Sequence, residues 1–211
     1  MLLPSPSVTS HYFNPDPDTP SRTATVTLLL PDLHLRLTTD RGVFSPDRVD
    51  LGTRILLETV PAPPDHGTLL DLGCGYGPIA LTMARRAPHA TVVGVDTNRR
   101  ALDLARRNAE ANNVPNAHFH PAPEVPDPGA PLAGPFAALW SNPPIRIGKN
   151  ALHALLTTWL ARLEEGAHAH LVVHRNLGAD SLQRWLDTVG HPAERVASRA
   201  GYRILRTTRH P

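Results

Sequence analysis

Leu69-Leu70-Asp71-Leu72-Gly73-Cys74-Gly75-Tyr76-Gly77 carries a short apolar run directly into three alternate glycines. Thr68 to Leu72 reads as a buried strand, and Ile79 to Arg86, beyond the glycines, reads as a helix. Glycines at such a junction let the backbone turn sharply and let a ligand approach it closely. The order Gly-x-Gly-x-Gly, with Asp71 two residues ahead, departs from the Gly-x-Gly-x-x-Gly of dinucleotide binders and argues against an oxidoreductase.

The same alternation continues downstream. Strand-like runs at Thr91 to Val95, Ala117 to His120, Ala137 to Trp140 and His170 to Val173 alternate with helical spacing at Arg99 to Asn112, Ala151 to Glu164 and Ser181 to Val189. This predicts an α/β fold with a mostly parallel sheet covered by helices. Arg195 to Ser198 and Tyr202 to Thr207, parted by Ala200-Gly201, predict a closing antiparallel hairpin. Upstream, Ala24 to Leu30 and Leu33 to Thr39 flank Pro31-Asp32 as a second hairpin, and Val49 to Val60 has helical spacing that Pro61 to Pro64 stop. Residues 1–22, rich in proline, predict a weakly ordered arm, and residues 23–211 a single domain with its hairpin within 23–45. Pro121 to Pro135 reads as a proline-rich loop.

A chain of 211 residues is the right size for one well-cored domain. It is 41% hydrophobic, and no apolar run approaches the length of a membrane span. Prolines and polar residues fill Met1 to Phe13 where a secretory signal would be apolar, so a soluble, cytoplasmic protein without membrane contact is expected. The single cysteine, Cys74, makes no internal disulfide and has no nearby cation in sequence to lower its pKa, so it reads as a packing residue. Among twelve histidines, His118/His120 and His168/His170 each share a strand face, but no further Cys, Asp or Glu stands at ligand spacing and no metal is expected.

Net charge is +2, and the computed isoelectric point near 9.1 leans toward anionic partners. Arg195, Arg199, Arg203, Arg206 and Arg209 face only Glu194 in the last stretch of chain, which reads either as a phosphate-binding surface or as a solvated one. Lys149 is the only lysine, a compact ammonium in a chain that otherwise uses arginine.

Val92-Val93-Gly94-Val95-Asp96 ends its strand on a carboxylate about twenty residues past the glycines, where a ribose hydroxyl pair needs an acceptor. Helix capping is the alternative role for Asp96, although Thr97 or Asn98 serves that purpose equally well. After the fourth strand of the alternation comes Ser141-Asn142-Pro143-Pro144-Ile145-Arg146-Ile147-Gly148-Lys149. Two prolines can simply end a strand, which leaves the preceding amide unexplained. An exocyclic amine on an aromatic ring has a delocalised lone pair. The Asn142 side-chain oxygen and the Pro143 carbonyl, each accepting one N–H, would aim that lone pair at a methyl carbon.

On these residues the chain resembles the class I methyltransferases. Within them it resembles the small-domain, RsmC-like branch of 16S ribosomal RNA guanine-N2 methyltransferases, from His11-Tyr12-Phe13 onward. Gly42-Val43-Phe44-Ser45 with Val49-Asp50-Leu51-Gly52-Thr53, the glycine loop, Asp96 and the Asn-Pro-Pro segment carry the resemblance. It implies a Rossmann-like, seven-stranded sheet and the cofactor S-adenosylmethionine, with S-adenosylhomocysteine as product. It also implies that Phe44, Asp50, Gly52, Asp71, Gly73, Gly75, Gly77, Asp96, Thr97 and Asn142 hold the cofactor while Asn142 and Pro143 orient the amine. Pro144, Ile145, Arg146 and Lys149 would then meet the substrate, ribosomal RNA or the small ribosomal subunit. Longer members carry an extra amino-terminal half, so substrate contacts here are expected from other surfaces or the arm.

Two departures stand out. Many relatives place an acid after the third strand of the alternation to meet the adenine amine, where this chain reads His120-Pro121-Ala122-Pro123-Glu124, and Ile145 replaces an aromatic that stacks on a flipped base. Adenine N6 or a protein glutamine are the competing acceptors, and a non-catalytic cofactor- or RNA-binding module is the competing class. Retention of both the glycine loop and Asn142 favours the enzyme.

Overall fold

A computed structural model of the chain describes residues 17–122 and 132–210. Most of the expected arm, the His11-Tyr12-Phe13 stretch, Pro123-Glu124 and the greater part of the proline-rich loop lie outside these residues. The described part of the arm is hydrogen-bonded to the domain. Arg100 donates to the Thr19 carbonyl at 2.8 Å, and Asp40 accepts from the Ser21 hydroxyl and the Arg22 amide.

The chain opens with the hairpin β1 (Ala24–Leu29) and β2 (His34–Thr39), followed by α1 (Leu51–Thr59). The alternating part is β3 (Thr68–Leu72), α2 (Pro78–Arg86), β4 (Thr91–Asp96), α3 (Arg99–Ala111), β5 (Ala117–Pro121), β6 (Phe136–Ser141), α4 (Lys149–Leu160), β7 (Leu163–His174) and α5 (Ala179–Thr188). The closing hairpin is β8 (Ala193–Arg199) and β9 (Tyr202–Thr208). Seven strands form one sheet in the order β5-β4-β3-β6-β7-β9-β8, parallel from β5 to β7, with β9 antiparallel to both its neighbours. From β3 the chain steps outward through β4 to β5, then crosses to β6 on the other side of β3. The carboxyl ends of β3, β4 and β6 therefore border a crevice at the point where strand order reverses.

Two apolar layers cover the sheet, and the period of two assigns residues between them. Leu69, Val92, Trp140, Val172 and Ile204 pack toward α1, α2, α3 and the amino-terminal hairpin. Their neighbours Leu70, Val93, Leu139, Val173 and Leu205 pack toward α4 and α5. The hairpin joins the domain through two asparagines one turn apart, Asn108 on α3 and Asn112 at its carboxyl cap. Asn108 Oδ1 accepts from the Thr38 amide at 2.7 Å while its Nδ2 donates to the Thr38 carbonyl at 2.9 Å, and Asn112 treats Arg36 likewise at 3.2 and 2.9 Å.

One element departs from expectation. The helix predicted over Ala151 to Glu164 starts at Lys149 and ends at Leu160, and Leu163 and Glu164 begin a long strand instead. Helix propensity across Arg162-Leu163-Glu164-Glu165 is worth a few tenths of a kcal/mol per residue. Pairing opposite Phe136 buries Leu163 completely, a gain of about 1.5 to 3 kcal/mol, and the strand wins.

Candidate active site

The crevice at the strand ends is a cleft of about 450 Å³, a size that suits a nucleoside-bearing ligand. Its floor is the glycine loop. The Gly73 and Cys74 amides both donate to the Val95 carbonyl at 2.9 Å, and the Gly75 amide donates to Asp96 Oδ2 at 2.8 Å. Gly75 has φ +54°, and a Cβ added there would meet no atom within 4 Å, so the missing side chain leaves open room beside the cleft floor.

Asp96 completes that floor. Its Oδ1 accepts from the Asn98 amide at 2.9 Å, while Asn98 itself caps α3 by accepting from the Ala101 amide at 3.1 Å. Capping therefore falls to Asn98, and the Asp96 carboxylate is left lining the cleft. Burial pushes its pKa up, and the amides of Asn98, Gly75 and Thr97 pull it back toward the charged form. Asp96, the open room at Gly75 and the size of the cleft together fit the adenosyl part of S-adenosylmethionine.

The opposite wall carries the Asn-Pro-Pro segment. Asn142 Nδ2 donates to Asp50 Oδ2 at 2.9 Å and to Thr53 Oγ1 at 3.1 Å, tying the end of β6 to the first turn of α1. The Pro143 carbonyl accepts from the Ile145 amide at 2.8 Å, which leaves one of its two lone-pair directions for another donor. Pro144, Ile145 and Arg146 line the cleft beyond, with Phe44, just over half exposed, at the rim.

Of the expected site residues, Phe44, Asp50, Gly73, Gly75, Asp96, Thr97, Asn142, Pro143, Pro144, Ile145 and Arg146 line this cleft. Gly52, Asp71, Gly77 and Lys149 do not. Asp71 sits fully buried beneath the loop, where its Oδ2 accepts from the Ala80 amide at 2.8 Å. It thereby caps α2, which opens on Gly77 with no side chain for the purpose. Burial raises its pKa well above the carboxylate range, and its Oδ1 has no partner. Gly77 takes φ +96°, and a Cβ added there would lie 3.3 Å from the Ala105 side chain, so it shapes the turn. Gly52 lets the Tyr202 ring pack onto α1, and Lys149 is the exposed first residue of α4.

Thr53, Tyr76, His174, Leu177 and Tyr202 also line the cleft and were missed. Thr53 and Tyr76 stood inside quoted motifs; His174, Leu177 and Tyr202 carry no local signal, because folding alone brings them beside the glycine loop. From the segment after β5, Ala122 reaches the cleft, and Glu124 is outside the described residues. Cys74 is buried and its thiol pKa is pushed up by burial, in keeping with a packing role. Among the described residues no three His, Cys, Asp or Glu side chains converge, and no helix is long and apolar enough to cross a membrane. A second depression of about 480 Å³ lies by Arg85 and Arg86, where α2 ends, and Asp32 occupies the Arg86 guanidinium.

The carboxyl-terminal arginines do not stand as a free cationic row. Arg195 and Arg203 pair with Asp180, Arg199 with Glu58 and Arg206 with Glu194, while Arg209 donates to the Leu163 carbonyl. Asp180 and Glu58 come from α5 and α1, so the charge count along the last stretch of chain omitted the acids that meet it.

The methyltransferase small domain family model matches residues 34–206, from β2 to β9. The chain belongs to that family. It is a methyltransferase domain, and its cofactor is S-adenosylmethionine. This methyltransferase is 32% identical to the uncharacterized protein YbxB of Bacillus subtilis over 199 residues, covering 94% of this chain and 98% of that one. It is 32% identical over 187 residues to ribosomal RNA small subunit methyltransferase C of Stutzerimonas stutzeri, covering 87% of this chain but 54% of the relative. Among solved structures, the T. thermophilus 16S rRNA N2 G1207 methyltransferase RsmC, in complex with AdoMet and guanosine, superposes with a TM-score of 0.76 at 25% identity. That match covers 92% of this methyltransferase and 52% of RsmC, so the chain spans about half the length of these two relatives.

Proposed function

We propose that this methyltransferase modifies the exocyclic N2 of a guanine in small-subunit ribosomal RNA, acting in the cytoplasm. The observation that carries the reading is that Asn142 and Pro143 line the same cleft as Gly73, Gly75 and Asp96, so an amine held by the first pair faces a cofactor held by the second group. The ribosomal RNA and the guanine come from the relatives of that name and from the RsmC complex with guanosine.

Asp96 would accept from the ribose hydroxyls, and the loop from Gly73 to Gly75 would lie against the adenosyl group. When bound, S-adenosylmethionine supplies a methyl group on a sulfonium and leaves as S-adenosylhomocysteine. Asn142 Oδ1 and the free lone pair of the Pro143 carbonyl each accept one N–H of the guanine amine, which turns its lone pair toward the methyl carbon. The nitrogen would take up the methyl group that the cofactor supplies, and its surplus proton would leave afterwards to water.

The test is methylation of small-subunit ribosomal RNA and of purified small subunits with labelled S-adenosylmethionine, followed by digestion to nucleosides. N2-methylguanosine is the expected product. N6-methyladenosine, or label only in protein, would replace guanine by the corresponding competing acceptor. Tight cofactor binding with no transfer to any of these would leave a binding module.

A further inference from the structure

The two ends of the Asn142 amide are nearly equal in size, so the strand that carries the residue does not decide which end faces the acceptor. The surroundings do. Both hydrogens of Nδ2 are engaged, by Asp50 Oδ2 at 2.9 Å and Thr53 Oγ1 at 3.1 Å. An ionised carboxylate only accepts, so the reversed amide would set Oδ1 against an oxygen and lose a charge-assisted bond. Asp50 is itself held in place. As N-cap of α1 its Oδ2 accepts from the Thr53 amide at 3.1 Å, and the Tyr202 ring closes over Gly52 beside it. A Cβ at Gly52 would come within 2.6 Å of Tyr202 Cε1 and 2.9 Å of Asp50 Oδ2, so this packing leaves the carboxylate little freedom.

We propose that Asp50 and Thr53 are positioning residues for nitrogen methylation, holding the Asn142 amide so that Oδ1 is presented to the target amine. The assignment rests on the amine-orienting role of Asn142 and moves Asp50 out of the cofactor-binding set that the sequence implied. It also gives the first turn of α1 two duties, since the carboxylate that caps the helix also sets the amide. Donation of both N–H bonds draws electron density toward Oδ1 and strengthens it as an acceptor.

Three variants separate these duties. Asp50→Ser keeps a good N-cap but withdraws the carboxylate from Asn142. Thr53→Val keeps the side-chain shape without the hydroxyl, and Thr53→Ser restores the hydroxyl. Asp50→Ser and Thr53→Val are each expected to lower kcat about tenfold, with cofactor affinity within about twofold of wild type, and Thr53→Ser to recover the rate; losing one preorganised partner outright costs roughly 100-fold or more. Adding Asp50→Ser to Asn142→Ala should cost nothing further, because the first residue acts through the second. In nuclear magnetic resonance spectra the Asn142 side-chain amide protons should exchange slowly with water in the wild type and rapidly in Asp50→Ser and Thr53→Val.

Fast exchange in the wild type, or additive rate losses in the double variant, would overturn the proposal. So would a fall in cofactor affinity at unchanged kcat, which would return Asp50 to the cofactor site. If Asp50→Ser does not fold, the valine and serine variants at position 53 and the proton exchange decide alone. A normal rate in Asn142→Ala refutes the underlying function; a crippled Asn142→Ala beside a normal Asp50→Ser and Thr53→Val refutes the positioning alone.

Discussion

The Ser141 hydroxyl donates to the Leu72 carbonyl at 2.6 Å across the buried tips of β6 and β3. This bond joins the two strand ends that carry the acceptor segment and the glycine loop. Ser141→Ala removes the donor and strands a buried carbonyl, a loss of about 1 to 3 kcal/mol. A lower urea midpoint with an unchanged m-value is expected, together with weaker cofactor binding as the two tips lose their tie. Unchanged stability would mean that the carbonyl finds another donor.

Asp96→Ala should weaken S-adenosylhomocysteine binding by about 1 to 3 kcal/mol, because the ribose hydroxyls lose a matched acceptor. The Gly75 amide, which donates to the same carboxylate, also loses its partner and loosens the loop. Calorimetry on a folded variant reads both effects as one affinity, and an unchanged value would remove Asp96 from the ribose site.

RNA affinity should depend on Arg146 and Lys149, which enter no ion pair among the described residues and stand at and beside the cleft, more than on the ion-paired arginines of β8 and β9. Neutralising either Arg146 or Lys149 should reduce the slope of log affinity against log salt by about 1. Neutralising Arg195 and Arg203 should chiefly expose Asp180 and lower stability. A slope that changes only with the hairpin arginines would reverse this order.

His170 packs its ring edge-on to Trp140, and its buried Nδ1 has no partner. Burial, helped by His168 and Arg206, pulls its pKa down to about 4. A depressed folded pKa means that the unfolded chain takes up the proton first. Stability from the neutral ring is therefore complete above about pH 6.5 and is lost as pH falls toward 4. In His170→Phe this loss is absent. The variant should gain on the wild type by about 1 to 2 kcal/mol between pH 7 and 5, read from urea midpoints. Parallel curves for the two proteins would show that His170 protonates freely in the fold.

The sheet was legible because its signal is local. The apolar run from Thr68 to Leu72 and the carboxylate ending Thr91 to Asp96 state strand, face and terminus within a few residues. Leu163 was misread because Leu160-Ala161-Arg162-Leu163 suits a helix equally, and only Phe136 across the sheet decides the matter. The site divides in the same way. Gly75, Asp96 and Asn142 sit at strand ends that the pattern predicts, whereas the partners of Asn142 lie on α1, about ninety residues away. Arg199 and Glu58 are farther apart still, which is why counting charge along the chain leaves out the acids that meet the closing hairpin.

Asn108 and Asn112 supply the edge of β2 with donors and acceptors in the order a neighbouring strand would offer them. The amides of Arg36 and Thr38 thus donate to the side chains of Asn112 and Asn108, at the cap and in the last turns of α3, and not to a neighbouring strand. Hydrogen exchange at the Arg36 and Thr38 amides, though they lie in a strand, is therefore expected to report the opening of α3.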